Sequence, residues 1–542
     1  MHPPPFRPAS RVATVVLALA LTACGGSPSP SEPPAPPPGP TAPGAMAQAP
    51  TVAYQAKRFD FSWPAEPLAT YYQVGVATST SARTVLADNL TGLHHAVADI
   101  DLVDHDLTTD YAVRACNATG CGDWSPTRLP DANQAIGYFK PMVPGVLSFG
   151  RINKLAPDGR TLAVQAGAQS LQLFTRDVTG WRHQQTLTRP EMRGVGSIAF
   201  SGEGTLLWGG YHSGSIGGVE DPGEVFAYRF DGSAWVQQQQ IDYPGPAVGT
   251  KLAFGGGVAL SLDGRIALVS AIGSVLNGGV PGKVYVYRRD DTTGWGLVAT
   301  LAPAFEQPTA LFGGWLAISA DASTIAATSV YHPSGSALDE SDTSSPSSGA
   351  AHVFRRVGGT DNWVQTAYLK EPVIAASSNF GSALALSGDG STLAIGARNS
   401  QVAYVYQGAN GVYGTPQTLA YAPSAARFGY DLAMTNDASR LVLADMNSGD
   451  LSAGLGHTPV AAGVTWVGAA YVFTLQGGSY QFGSYLKAPN PRINSYFGLF
   501  MSVAGEEGSV AIGSPSESSG ATGVGGDWSD TSGTNSGALY LY

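Results

Sequence analysis

Between residues 133 and 542 one hydrophobic pattern returns seven times. A Phe-Gly pair opens a short apolar strand, and an acid stands nine positions after the Phe. The copies are Phe149…Asp158, Phe254…Asp263, Phe312…Asp321, Phe380…Asp389, Phe428…Asp437 and Phe497…Glu506, with a degenerate copy from Gly194 to Glu203. A third strand follows, as in 283–287, 351–354, 403–406, 470–473 and 538–542. A fourth opens on Trp181, Trp235, Trp295, Trp363, Tyr413 or Tyr480 and carries an aliphatic residue six positions on. Four short strands in a unit of about 58 residues form a propeller blade. The pattern therefore predicts an all-β chain with a seven-bladed β-propeller over 133–542. The last copy lacks its fourth strand. Tyr138-Phe139-Lys140 matches Tyr368-Leu369-Lys370 and Tyr485-Leu486-Lys487 in register, so residues 133–140 are expected to complete it. Without that strand the final blade would keep an unpaired edge.

Upstream, alternation of period two sets in. Phe59, Phe61 and Trp63 alternate, and further strands are expected near 71–76, 83–87, 92–98 and 110–117. Short strands at regular spacing predict a small β-sandwich over 51–130 preceding the propeller. Cys116 and Cys121 enclose Asn117-Ala118-Thr119-Gly120 at a hairpin and are expected to form a disulfide in an exported chain. A redox or metal pair is the alternative, but two thiols without further ligands make a poor zinc site. His94, His95 and His105 read as surface residues.

The N-terminus reads as an address. Arg7 and Arg11 precede an apolar run over 12–23, too short for a bilayer-spanning helix of ~20 residues. Leu21-Thr22-Ala23-Cys24-Gly25 resembles a bacterial lipobox. The resemblance implies removal of 1–23, a lipid on Cys24 and attachment to a membrane through it. Gly25, where an Asp would signal inner-membrane retention, implies the outer membrane. An ordinary signal peptide that contains a Cys is the competing reading. Residues 24–50 hold ten Pro, which suits an extended tether reaching up to roughly 80 Å.

Two further resemblances follow from the residues above. Phe61-Ser62-Trp63, Tyr72-Gln73-Val74 and Leu107-Thr108-Thr109-Asp110-Tyr111-Ala112-Val113-Arg114-Ala115 resemble a fibronectin type III domain. The Phe-Gly repeat resembles the FG-GAP family of propellers, known from integrin α heads. That likeness implies an extracytoplasmic binding or adhesion role, by analogy alone.

Composition narrows the partners. The net charge is −11, with no basic run, so nucleic acid is not an expected partner. No Gly-x-Ser-x-Gly elbow, His-Glu-x-x-His or phosphate loop occurs, and the nine His fall at no shared repeat position. No catalytic residue is expected.

Residues repeated in most blades read as structural. The turn acids cap backbone N–H groups, and one carboxylate per turn is too few for calcium. The Asp-x-Asp-x-Asp-Gly cluster of integrin calcium loops is missing from all seven turns. Residues confined to one or two blades are the better candidates. They fall in unequal loops at 334–348, 447–467 and 514–536, since long loops on a rigid scaffold carry binding. Trp466, Trp528, Asp450 and Glu517 are candidate ligand contacts for a protein or glycan. Asp339, Glu340 and Asp342, and Asp527, Asp530 and Asn535, are candidate calcium ligands; solvated Gly/Ser loops are the other reading. The whole suggests a monomeric, envelope-anchored binding protein. A periplasmic scaffold and an enzyme acting on polysaccharide or lipid are the rivals.

Overall fold

The computed structural model describes residues 41–212, 215–216, 219–220, 223–245, 252–272, 279–421, 428–461, 466–505 and 508–542. The expected signal peptide, Cys24, most of the Pro-rich segment and Glu506 lie outside the described residues.

The chain is all-β. From Gly137 onward it forms a β-propeller. Strands Asn153–Leu155, Thr161–Gln165, Ser170–Asp177 and Gly180–Thr188 make the first antiparallel sheet. Five more follow in sequence, opening with Met192–Phe200, Phe254–Leu260, Phe312–Ile318, Phe380–Leu386 and Leu432–Met434. The last sheet pairs Met501–Val503, Val510–Ser514 and Ala538–Leu541 with Gly137–Phe139. The opening strands touch in cyclic order, and that of the last sheet meets that of the first. Residues 137–139 thus supply the missing fourth strand, with Tyr138 opposite Tyr540.

The Phe-Gly pair has a physical reason. Phe380 is fully buried, which contributes about 2–3 kcal/mol. Gly381 has φ +92°, a conformation costly for any residue with a Cβ. Phe380 bridges in parallel to Gly349 of the previous sheet, where an added Cβ would collide with the Phe380 carbonyl oxygen. The same bridge joins Phe497 to Gly468 and Phe149 to Gly537, the latter sealing the last sheet to the first. The turn acids act as expected: Asp389 Oδ1 accepts from Ser387 Oγ at 2.6 Å and Ser391 N at 2.9 Å. A glutamine in the fourth strand adds a clamp between neighbours. Gln185 brackets the backbone of Trp235, Gln239 that of Trp295 and Gln417 that of Tyr480.

At the turn between first and second strands a belt of backbone hydrogen bonds links successive sheets. It runs Gly202 N to Leu262 O, Leu262 N to Ala320 O, Ala320 N to Gly388 O, Gly388 N to Asn436 O and Asn436 N to Gly505 O. The first sheet has Pro157 at this place, which has no N–H to donate.

The segment before the propeller packs two sheets face to face. Thr51–Gln55, Arg58–Ser62 and His94–Val97 form one; Thr84–Leu90, Tyr71–Ala77, Asp110–Asn117 and Gly120–Cys121 form the other. Phe59, Phe61, Trp63, Tyr72, Val74 and Val113 fill the space between. Cys116 and Cys121 face each other across the hairpin and are disulfide-bonded. The expected tether does not run free to residue 50. Met46 is buried in the sandwich, and Asn117 Nδ2 donates to Thr41 O at 2.8 Å.

This sandwich is docked on the propeller. Arg440 pairs with Asp101 at 2.7 Å and Asp104 at 2.5 Å, and donates to Gly508 O at 2.9 Å. Lys57 meets Ser509, Arg176 meets Asp99, and Arg58 donates to Val178 O at 2.5 Å. Ser484 Oγ donates to Val103 O at 2.6 Å. These partners sit in the last two sheets and the first, mostly at their short-turn end.

Candidate functional site

In an antiparallel sheet of four consecutive strands, the connection from second to third strand and the one leading to the next sheet emerge at the same end. That end of the propeller carries the long loops and lies opposite the turns that meet Arg58 and Lys57. Two loops there are built alike. In the fourth sheet Ser334 Oγ donates to Asp339 O, Gly335 N to Asp342 Oδ2, and Ser348 Oγ to Ser334 O. In the last sheet Ser519 Oγ donates to Asp527 O, Gly520 N to Asp530 Oδ2, and Ser536 Oγ to Ser519 O. Beneath each loop a buried lysine ends a fourth strand. Lys370 Nζ donates to Ser348 Oγ at 2.6 Å and to Gly349 O, and Lys140 Nζ to Ser536 Oγ at 2.8 Å and Gly537 O at 2.6 Å. Lys487 does the same in the sixth sheet, to Asp450 O at 2.6 Å and to Gly468 O. The matched Tyr-x-Lys segments are therefore loop anchors.

This architecture corrects several candidate contacts. Glu517 is 1% exposed. Its Oε2 takes Lys140 Nζ at 2.6 Å, and its Oε1 takes Asn490 Nδ2 and Ser519 N at 3.0 Å each. Asp450 is 6% exposed, and its Oδ2 accepts from Tyr485 OH at 3.0 Å and Ser452 Oγ at 3.0 Å. Neither carboxylate faces a ligand, because each is consumed in holding its loop. Trp466 is half-buried against Tyr496, ring centroids 5.6 Å apart. Trp528 is carried outward with its loop. Residues 523–525 pair with the outer edge of strand Gly137–Phe139, and the Trp528 ring lies edge-on to Tyr138. There it borders a cleft of about 440 Å³ shared with Tyr54, Gln55 and Gln134.

The candidate calcium ligands do not converge. Asp339 Oδ1 accepts from Ser341, and Asp342 from Ser344 and Gly335, all within the same loop. Glu340 turns away to Gln365 and Phe305 N. Asp527 and Asp530 cap Ser529 and Ser532, and exposed Asn535 offers its backbone carbonyl to Ser148 N. Among the described residues no group of three His, Cys, Asp or Glu could hold a metal ion.

Two histidines that the sequence left scattered come together. His332 and His352 are fully buried, ring centroids 5.9 Å apart, with Tyr368 against both. His352 Nε2 and Ser329 Oγ share a hydrogen bond at 3.1 Å, and Glu340 Oε2 lies 3.8 Å from His352 Nδ1. His332 occupies the place in its loop that Glu517 occupies in the last sheet. Burial, then the Lys370 ammonium, pushes His332 down to about 4. Burial, then His332 and Lys370, pushes His352 down to about 3.

The propeller axis holds a second set of singular residues. A central channel of about 400 Å³ is lined by the opening strands. Lys154 and Asp431 line it, and each breaks the repeat. Three positions after the Phe, Asp431 stands where other copies have Ile152, Ser197, Gly257, Trp315, Ala383 and Phe500. Burial raises the Asp431 carboxyl to about 7, against the pull of two backbone N–H donors and Lys154. Superimposing the seven copies on their Phe would have exposed both residues.

The long-loop end carries several of the exposed apolar side chains, each on a separate loop or connection. Leu147, Phe305, Leu338, Val373, Leu451 and Ile493 all stand there, Leu338 98% exposed.

No family model matches the chain, and no curated protein does. Among solved structures it is similar to the Cps50 (Swd1) β-propeller domain of Myceliophteria thermophila. The identity is 10%, the match covers 72% of this chain and 96% of that one, and the TM-score is 0.43.

Proposed function

We propose that this chain is a binding protein of the bacterial envelope, held by a lipid on Cys24, that captures a protein or glycan on the long-loop end of its propeller. In this reading the sandwich is fibronectin type III-like and the propeller is of the FG-GAP type. The observation that carries it is the exposure of apolar side chains on this end, among them Leu338 and Leu451 on loops anchored from below by Lys370 and Lys487. Exposed apolar side chains on a rigid support are suited to recognition, because little ordering entropy remains to oppose binding. The sandwich docks mostly on the short-turn end, and it reaches the long loops only at Leu455 and beside Trp528.

Protease treatment of intact and lysed cells tests the location. Degradation on intact cells supports adhesion; protection until lysis favours the periplasmic scaffold. Binding of the purified chain to arrayed glycans and matrix proteins tests the surface. Leu338→Asp with Val373→Asp should abolish capture, whereas Val236→Asp on an outer strand should not. Equal capture by all three proteins would sink the proposed surface.

A further inference from the structure

Five positions after the Phe of the repeat, six of the opening strands carry a small residue: Ala199, Ala259, Ala317, Ala385, Ala433 and Ser502. The first sheet carries Lys154. Its side chain lines the channel, and among the described residues its Nζ has neither a hydrogen bond nor an ion pair. Asp431 is the charge it senses, and that carboxylate is committed to the wall. Asp431 Oδ1 accepts from Leu432 N at 3.0 Å and Oδ2 from Met501 N at 2.6 Å.

The contrast between half-buried Lys154 and the protein's buried lysines is informative. Lys140 is met by Glu517, Lys370 by Gly349 O, Lys487 by Gly468 O and Lys57 by Ser509. An ammonium withdrawn from water costs stability unless it is answered. Lys154 instead faces open volume, in a space of small-molecule size. The surrounding wall is mixed in character, and Leu260, Trp315, Ile318, Leu386 and Met434 are its large apolar members.

We propose that the channel binds a small organic monocarboxylate, its carboxylate paired with Lys154 and its apolar body against Trp315, Leu386 and Met434. Burial favours the uncharged form of Asp431, and both of its oxygens are already held by backbone N–H groups, so the wall leaves Lys154 without a hydrogen-bond partner. One negative charge on a guest completes the balance. A second would find no further cation among the described residues that line the channel. This site is independent of the long-loop surface.

The test uses the purified chain with hexanoate and benzoate as probes, and hexan-1-ol and benzyl alcohol as their neutral counterparts. Calorimetry and thermal melting should show at least one acid binding at millimolar concentration. Its alcohol should bind at least about tenfold more weakly, the worth of one charge-assisted hydrogen bond. Lys154→Met should lose about the same factor, Lys154→Arg should keep binding, and Leu338→Asp should leave it unchanged. A reading independent of any variant is protection: the bound acid should slow acetylation of Lys154 in the wild-type chain and leave half-exposed Lys283, outside the channel, unaffected. No binding of either acid, equal binding of acid and alcohol, unchanged affinity in Lys154→Met or unprotected Lys154 would each overturn the proposal.

Discussion

Lys140 Nζ and Glu517 Oε2 lie 2.6 Å apart with almost no solvent on either, though 377 positions separate them in the chain. The pair pins the strand that comes before the first sheet to the loop of the last. Burial lowers the Lys140 pKa even with Glu517 beside it.

Removing one partner should therefore be worse than removing both. Lys140→Met leaves a buried carboxylate unanswered and is expected to cost about 3–5 kcal/mol. The double variant Lys140→Met with Glu517→Leu should recover part of that in urea melts. Deleting 133–140 should lower the propeller melt further; an unchanged melt would mean the ring does not depend on this strand.

Arg440 makes the densest link between sandwich and propeller. Its acidic partners are nearly half exposed, so solvent screens the pairs. Arg440→Ala is expected to cost about 1–2 kcal/mol, counting the lost bond to Gly508 O. Small-angle scattering should then show a more extended particle. The same scattering curve as the wild type would assign the docking to Lys57, Arg176 and Arg58.

The buried histidine pair gives the protein an acid limb. In an unfolded chain both rings titrate near ~6.5. Folded, they sit at about 4 and about 3, so the unfolded state binds more protons below the ordinary value. Their contribution to stability is whole above pH ~6.5, falls as pH drops through the folded values, and then levels off. Replacing both with Gln should flatten the urea midpoint between neutral and mildly acidic pH. Asp431, raised to about 7, acts with the opposite sign: its contribution is whole at low pH and is lost as pH rises through that value. An unaltered acid slope in the His332→Gln, His352→Gln chain would remove the histidines as its source.

Calcium should not stabilise the loops. Asp342 and Asp530 spend their oxygens on neighbouring N–H and hydroxyl groups. A chelator is expected to leave the melting temperature unchanged, whereas Asp342→Asn should lower it slightly through the lost cap. A rise on adding millimolar calcium, abolished by Asp342→Asn, would restore the metal reading.

Reduction of the Cys116–Cys121 bridge returns a short loop's worth of entropy to the unfolded chain and is expected to cost about 2 kcal/mol. The loss should be confined to the sandwich. Hydrogen exchange should therefore rise around Cys116 and Cys121 and stay fixed at Phe380. Faster exchange at Phe380 would show that the two parts unfold together.

Repetition made the fold legible. The Phe-Gly pair, the turn acid and the strand-four aromatic recur because each sheet meets its neighbour through the same geometry. Tyr138-Phe139-Lys140 was readable for the same reason. The loops were not, because an acid among Ser and Gly looks solvated when its cation is far away in sequence. Glu517 is answered by Lys140, and Asp450 by Tyr485. The setting of Trp528 was not legible, because its loop folds over a sheet edge instead of standing up from it. His332 and His352 needed the loop between them to close before their contact existed. Lys154 and Asp431 stood inside the repeat, where attention to what recurs hid what does not.

Strand Gly137–Phe139 is translated first among the propeller's strands, and its partner Ala538–Leu541 last. At ordinary elongation rates some tens of seconds separate the two on the ribosome. For all that time the earlier strand has no mate. Any variant that slows the final residues, or that strengthens the pairing of 137–139 with a neighbouring molecule, would act on yield rather than on the finished protein.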